Sequence, residues 1–400
     1  MATPAALARR LNYEGPALFS YGFRPFFLAG AAWAAFGILL WLPQFFGEIA
    51  LPTAMAPLDW HVHEMIFGYV AAVVAGFLLT AIPNWTGRLP VCGLPLAMLA
   101  ALWLAGRVAI LFSQTIGAPV AAAIDLSFLA VLALVALREV VAGSNWRNLR
   151  VLVVLGLLFA GNVVFHAEVL SARFADYGPR ISIAAVILLI MLVGGRIVPS
   201  FTHNWLVRRN PGRLPVGFSR FDALSLLLAA AALVAWIAAP RHPASGALLV
   251  LAGILQLLRL GRWAGDRTVA DRLVLVLHVG YAFVPLGFVL LGSSALWPVA
   301  VPYGAGIHAW TTGAVGTMTL AVMTRASLGH TGQPLVASAA TQAIYLLVIL
   351  AAVVRIAGAF TGSPALLHVA AFAWIAAFGT FVVVYGPLLA GRPPVWAGRK

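Results

Sequence analysis

The chain has 400 residues, of which 9% are charged and 62% are apolar, whereas a soluble domain has about 25% charged and about 45–50% apolar residues. This composition excludes a soluble globular protein and predicts an integral membrane protein. The formal net charge is +14, and the single Cys92 excludes a disulfide framework, a thiolate zinc site and the attachment motif of c-type haem. Any cofactor must therefore be held by histidine or carboxylate side chains.

Apolar stretches long enough to cross a bilayer recur along the whole chain. A membrane helix needs about 20 residues, and Pro, Gly or Arg residues separate the candidates. No tandem repeat at a fixed period is apparent. The pattern predicts an all-α fold, with residues 1–400 forming one transmembrane domain of about twelve helices. The predicted spans are 25–46, 61–82, 94–113, 119–137, 150–171, 181–199, 221–238, 245–260, 272–291, 303–323, 335–358 and 364–389.

The basic residues divide between the two sides of this topology. With both termini in the cytoplasm, three of the 25 basic residues fall in outer loops, namely Arg173, Arg180 and Arg241. Arg107 and Arg355 fall within helices, which leaves twenty on the inner side, as the positive-inside rule requires. Residues 1–24 are predicted as a cytoplasmic segment and 390–400 as a cytoplasmic tail. Because topology explains the net charge, we expect no nucleic-acid partner.

Five of the nine histidines fall at one level, near the outer ends of four predicted helices. They are His61 and His63 in the second helix, His166 in the fifth, His308 in the tenth and His368 in the twelfth. Histidine is uncommon in membrane spans because its ring nitrogens need partners, and neutral imidazole is a frequent metal and haem ligand. The pattern indicates a metallocofactor near the outer face. The alternative is that each histidine is an isolated capping or interfacial residue.

Helical geometry restricts how these side chains can combine. His61 and His63 point about 200° apart on a regular helix, so they should serve two centres or two sides of one assembly. Glu64 returns to the His61 face, where it could orient a ring, bind a metal or relay a proton. In the fifth helix, Asn162 shares the face of His166.

Three acidic residues, Glu64, Asp125 and Glu168, fall inside predicted helices on the outer half. An unpaired carboxylate in a membrane costs several kcal/mol, so such residues are functional candidates. The alternative is a structural ion pair with Arg107 or Arg355. In the tenth helix, closely spaced glycines allow a neighbouring helix or a flat ligand such as haem to approach near His308.

Several long strings in the sequence carry a family resemblance. FRPFF at 23–27, DWHVHEMIFGY at 59–69, GFLLTAIPNWTGR at 76–88, GGRIVPSFT at 194–202 and GAVGTMTLAVMTRASLGHTGQP at 313–334 closely resemble the NnrS family. Members of that family are twelve-helix proteins of the bacterial inner membrane that contain haem and copper and are tied to nitric oxide metabolism and nitrosative stress. The resemblance, and not the spacing of histidines, implies b-type haem, copper and nitric oxide for this chain.

The matching strings indicate which residues are candidate ligands, but they do not divide these residues between iron and copper. His61, His63 and Glu64 lie inside a matching string, and His308 lies just ahead of another. The provisional division gives haem axial ligation to His61 and His368, and copper to His63, His166 and His308. Glu64 and Glu168 are the candidate catalytic residues, as proton donors.

Three functions remain open at this point. The first is an oxidoreductase that reduces or otherwise consumes nitric oxide, with electrons from a quinol or a separate carrier. The second is a haem protein that senses or sequesters nitric oxide without turnover. The third is a proton-coupled transporter, since many transporters have twelve helices.

Overall fold

The computed structural model describes residues 13–172 and 174–391, and every regular element in these ranges is helical. Part of the predicted terminal segments, together with Arg9, Arg10, Arg173, Arg392, Arg399 and Lys400, lies outside the described residues. The long helices are α1 Phe23–Phe45, α2 Pro57–Thr86, α3 Leu94–Leu111, α4 Ala118–Ala142, α5 Leu149–Ala172, α6 Tyr177–Arg209, α7 Arg220–Ala238, α8 Pro243–Gly261, α9 Arg272–Leu296, α10 at 303–331, α11 Ala339–Thr361 and α12 Pro364–Ala390.

These twelve helices match the twelve predicted spans one for one. Eleven of them, in the described part of the chain, are long and apolar enough to cross a membrane. The other is α10, in which glycine and threonine residues dilute the apolar side chains. Helices suit this composition because they satisfy every backbone polar group internally, which a bilayer demands. The chain is therefore an all-α, multi-pass membrane protein, as predicted.

The helix ends follow from local sequence. Pro57 and Pro119 stand in the first turns of α2 and α4, where a missing N–H costs nothing. Gly87 ends α2 and Gly362 ends α11 with φ of 71° and 64°, a left-handed conformation that favours glycine. The main errors in the predicted boundaries are at α6 and α10, which continue past the apolar stretch into polar residues.

Two of the helices contain a π-helical segment, which the sequence analysis did not predict. In α2 it covers Glu64–Val70, and in α10 it covers Ala309–Gly316. Each segment begins at the residue after a predicted ligand, His63 or His308. π-Helical turns widen a helix locally and occur frequently at functional sites.

The described chain divides into two compact units. The first contains residues up to Ser182 together with Ala326–Gln333 and the chain from Phe378 onward. The second contains Ile183–Arg325 and Pro334–Ala377. His61, His63 and His166 belong to the first unit, whereas His308 and His368 belong to the second.

Candidate metal centre

The first unit brings together three ligand-type side chains from three helices. His63 lies at the end of the first α-helical part of α2, Asp125 lies in α4, and His166 lies in α5. Helix α4 packs against both α2 and α5, which places these side chains around one point. All three residues are buried, with exposed fractions of 0%, 2% and 4%.

The ligand atoms of these residues form a nearly regular triangle. Nε2 of His63 lies 3.3 Å from Nε2 of His166 and 3.3 Å from Oδ2 of Asp125. Nε2 of His166 lies 3.0 Å from the same carboxylate oxygen. Ligands that stand about 2.0–2.1 Å from a tetrahedral metal ion lie about 3.3–3.4 Å from one another. The triangle therefore has the size that three ligands of one ion require.

A carboxylate next in the chain fixes the orientation of the His63 ring. Oε1 of Glu64 lies 2.9 Å from Nδ1 of His63, and the Glu64 side chain is fully buried. A proton on Nδ1 satisfies this contact and leaves the Nε2 lone pair for a metal, which is the usual arrangement behind a ligating histidine. This contact was not predicted, because a regular helix would place Glu64 on the His61 face.

The Glu64 carboxylate receives two further hydrogen bonds. Nη1 of Arg107 donates to Oε1 at 2.6 Å, and Nε1 of Trp33 donates to Oε2 at 2.6 Å. Gly68 keeps this space open, because a Cβ there would lie 2.5 Å from Trp33 Nε1 and 2.9 Å from Glu64 Oε2. The glycine is therefore required by a side-chain network and not by its backbone conformation.

Arg107 also donates to Asp125 through Nη2, so one guanidinium joins the two buried carboxylates. The structural pairing of Asp125 with Arg107, which the sequence analysis left open, is thus present. Two carboxylates and one guanidinium leave one uncompensated negative charge when both imidazoles are neutral. Buried charge of this kind is costly unless it is paired, and a bound cation would compensate it.

Asn162 completes the cluster. Its Nδ2 donates to Asp125 Oδ2 at 2.8 Å, and it shares the face of His166 as predicted. Its Oδ1 is buried and has no hydrogen-bond partner among the described residues. Buried polar atoms are almost always paired, so an orphaned oxygen on a side chain that hydrogen-bonds to Asp125 favours a ligand or water in this place. The residues present fit a metal ion.

Other predicted site residues lie outside the triangle. His61 stacks on Trp41 with ring centroids 4.1 Å apart, and its assigned role in haem binding stays a prediction. Glu168 accepts the backbone N–H groups of Asp176, Tyr177 and Gly178 at 2.8–3.0 Å, so it caps the start of α6. The catalytic role suggested for Glu168 stays a prediction.

The second unit holds the two remaining predicted ligands. Nδ1 of His308 lies 2.7 Å from the Gly304 carbonyl oxygen, and Nδ1 of His368 lies 2.8 Å from that of Pro364. In both cases Nδ1 is the donor, because a carbonyl oxygen only accepts, and Nε2 is left as the potential ligand. Their assigned roles in copper and haem binding stay predictions.

Sequence reasoning did not assign Asp125 as a ligand. The signal that could have identified it was its depth in α4, on the outer half with His63 and His166. The pairing with Arg107 was considered only as a structural alternative to function. The geometry shows that these two readings are compatible, because one carboxylate oxygen binds Arg107 and the other faces the imidazoles.

Comparison with known proteins identifies the family to which the chain belongs. No curated protein matches the chain. A family model described as NnrS protein matches residues 17–392, nearly the whole chain. The chain therefore belongs to the NnrS family, a family of nitric-oxide-related membrane proteins associated with metal or haem binding.

Proposed function

We propose that the protein binds copper between His63, Asp125 and His166 and acts on nitric oxide there, together with a b-type haem. The observation that carries the copper site is the buried triangle, whose three ligand atoms lie 3.0–3.3 Å apart. The haem and the link to nitric oxide rest on membership of the family. His61 and His368 remain the proposed haem ligands, and His308 the further copper ligand predicted from sequence.

The donor set suits copper on chemical grounds. Two imidazoles and one carboxylate are borderline ligands, and copper(II) binds such sites more tightly than the other divalent ions of its row. The net negative charge of the cluster attracts a cation, and burial removes competing solvent. Iron(II) and zinc accept the same ligands. Metal analysis therefore decides the identity of the ion.

The proposed reaction is the reduction of two nitric oxide molecules by two electrons and two protons, which gives nitrous oxide and water. Bound copper and haem would supply coordination positions for nitric oxide and one-electron redox couples. Nitric oxide is neutral and dissolves in lipid, so it needs no charged entry channel. The proposed partners are nitric oxide, the bilayer of the bacterial inner membrane, and a quinol or another external electron donor, without nucleic acid.

Residues around the triangle orient its ligands and keep the buried carboxylates in place. Glu64 orients His63, and Arg107 fixes the Glu64 and Asp125 carboxylates at the same time. Glu64 accepts at both oxygens, so a role in proton delivery requires that it exchange one of these partners for a water or substrate. Its contacts favour a positioning role. Glu168 also accepts at both oxygens, from three backbone N–H groups, so the same condition applies to proton delivery by Glu168.

The test uses the purified full chain from haem-replete, copper-supplemented cells. We expect stoichiometric copper, a Soret absorption band and anaerobic nitrous oxide formation on addition of a reductant. His63→Ala should lose copper and turnover and keep the Soret band, whereas His203→Ala, at an exposed position, should keep all three. Bound cofactors without nitrous oxide would support the sensing or sequestration alternative. A colourless, copper-free protein would overturn the proposal.

A further inference from the structure

The segment from α2 to the start of α4 has a second copy in the chain, which is not a tandem repeat because long unmatched segments separate the two copies. Residues of the same type recur at a constant offset of 245 positions, without insertions or deletions. The matched pairs include Pro57 and Pro302, His63 and His308, Gly68 and Gly313, Val70 and Val315, Thr86 and Thr331, Gly87 and Gly332, Gly117 and Gly362, and Pro119 and Pro364.

The local structure repeats at the same offset. The π-helical segments of α2 and α10 begin at Glu64 and Ala309, which are 245 residues apart. Helices α3 and α11 begin at positions 94 and 339, again at this offset. The glycines that follow the matched helices have left-handed φ angles, 71° and 76° in one pair and 90° and 64° in the other. His308 thus occupies in its copy the position that His63 occupies in the candidate metal centre.

The charges around the two histidines differ. Glu64 is matched by Ala309, Asp125 by Ala370 and Arg107 by Ala352, so both carboxylates are replaced in the second copy. An arginine is nevertheless present, because Arg355 stands three residues, nearly one helical turn, beyond Ala352. The second copy therefore keeps an imidazole and a guanidinium without the acids that neutralise the guanidinium in the first.

Arg355 and His308 lie at one level of two packed helices. The start of α10 packs against α11, and a Cβ at Gly304 would lie 4.0 Å from both Ala359 and the His308 ring. His308 is one turn beyond Gly304, and Arg355 is one turn before Ala359 on a helix of opposite direction. This register puts Arg355 and His308 at the same level of the two packed helices, close enough for the charge of Arg355 to act on His308.

No acidic partner neutralises this guanidinium. Within residues 13–172 and 174–391, Arg355 makes neither a hydrogen bond nor an ion pair. An intramembrane arginine is costly and usually pairs with an anion or lines a functional path. The two-pronged guanidinium matches planar anions with two oxygens.

We propose that Arg355 binds a planar oxyanion beside His308, in place of the two carboxylates present in the first copy. The anion is a carboxylate or a nitrogen oxyanion, from either of two sources. One is a propionate side chain of a bound haem, and the other is free nitrite. Because Nδ1 of His308 donates to a carbonyl, a neutral His308 ring has no proton on Nε2 to donate, and the guanidinium of Arg355 supplies the donors.

The test compares wild type with Arg355→Gln and Arg355→Lys, and with Arg241→Gln as the control at an exposed arginine. All are purified as full chains from haem-replete cells. Sodium nitrite is titrated while the thermal unfolding midpoint is followed, and bound haem is measured from the Soret band.

If the anion is free nitrite, wild type and Arg241→Gln show a saturable rise of the midpoint that Arg355→Gln lacks. If the anion is a haem propionate, nitrite has no effect and Arg355→Gln loses haem at least about tenfold faster than the control, because a charge-assisted hydrogen bond is lost. Arg355→Lys keeps the positive charge but loses the paired N–H donors of the guanidinium, so its nitrite response or haem loss should lie between those of wild type and Arg355→Gln. If Arg355→Gln does not fold, Arg355→Lys takes its place in the comparison.

Identical nitrite response and identical haem retention in all variants would overturn the proposal, and would indicate that Arg355 only extends to the membrane surface. Copper content is measured in the same samples. We expect Arg355→Gln to bind as much copper as wild type. A copper-free wild type would therefore defeat the proposed copper centre without affecting the result at Arg355.

Discussion

Nε2 of His63 lies 3.3 Å from Nε2 of His166, although the two residues are 103 positions apart in the chain. At this distance the two nitrogens either share one proton in a hydrogen bond or both direct their lone pairs at one cation. Asp125 Oδ2 lies within 3.3 Å of both nitrogens and accepts a hydrogen bond only from a nitrogen that carries a proton. A bound cation satisfies all three atoms at once.

Replacing Asp125 should remove the metal. Asp125→Asn keeps the side-chain shape but loses the negative ligand atom and half of the charge that balances Arg107. We expect bound copper to fall at least ~10-fold, because even changes outside the ligand shell cost about 10–100-fold in metal affinity. Elemental analysis of the purified variant measures this. Undiminished copper would show that the ion, if present, lies elsewhere.

Glu64 and Glu168 offer a matched pair of substitutions. Glu64→Gln should weaken metal binding about 10–100-fold, because the carboxylate that orients His63 is lost. Glu168→Gln should leave metal affinity unchanged and lower stability by about 0.5–2 kcal/mol, because Glu168 caps α6. Copper titration and thermal unfolding of both variants separate these effects.

The catalytic role predicted for Glu168 can be tested separately, by measuring turnover of the Glu168→Gln variant. If it delivers protons, Glu168→Gln lowers nitrous oxide formation at full copper and haem content. Equal turnover in wild type and Glu168→Gln would restrict this residue to capping. Loss of copper in Glu168→Gln would contradict the structural separation of Glu168 from the triangle.

The fold was predictable because bilayer thickness and backbone hydrogen bonding leave few choices. Each of the twelve apolar stretches corresponds to one helix in the structure, and prolines and glycines mark many of the helix ends. Helices α6 and α10 were longer than predicted, since apolar length does not report where a helix continues beyond the membrane. Hydropathy therefore located the spans well and their polar extensions poorly.

The candidate site was only partly predictable. Depth identified His63 and His166, but which helices pack together depends on tertiary contacts that periodicity does not contain. The contact between Glu64 and His63 lies where the helix departs from regular geometry, at Glu64–Val70, and this departure was not predicted. Likewise, the sequence showed that Asp125 is an acidic residue within a membrane span, but it did not show that Asp125 lies next to two imidazoles.

Cys92 gives a test of the predicted topology, because it is the only cysteine and is half-buried in the loop between α2 and α3. This loop is predicted to be cytoplasmic. A membrane-impermeant maleimide should therefore label Cys92 only after intact cells are permeabilised. The control is Val299→Cys in a Cys92→Ser background, since Val299 is fully exposed in a predicted outer loop. It should be labelled in intact cells, and the reverse pattern would invert the topology.

The last prediction concerns the space at Gly68. Gly68→Ala adds a methyl group that would meet Trp33 and Glu64, so the network behind His63 must shift. We expect a loss of about 1–3 kcal/mol in unfolding free energy, as is usual for overpacking, together with weaker copper binding. Gly156→Ala is the matched control, because Gly156 lies in α5 with no atom within 4 Å of the added group. Alanine is the better helix former, so this variant should be as stable as wild type or slightly more stable. Equal behaviour of the two variants in thermal unfolding and copper titration would mean that the contacts of Trp33 with Glu64 do not position His63.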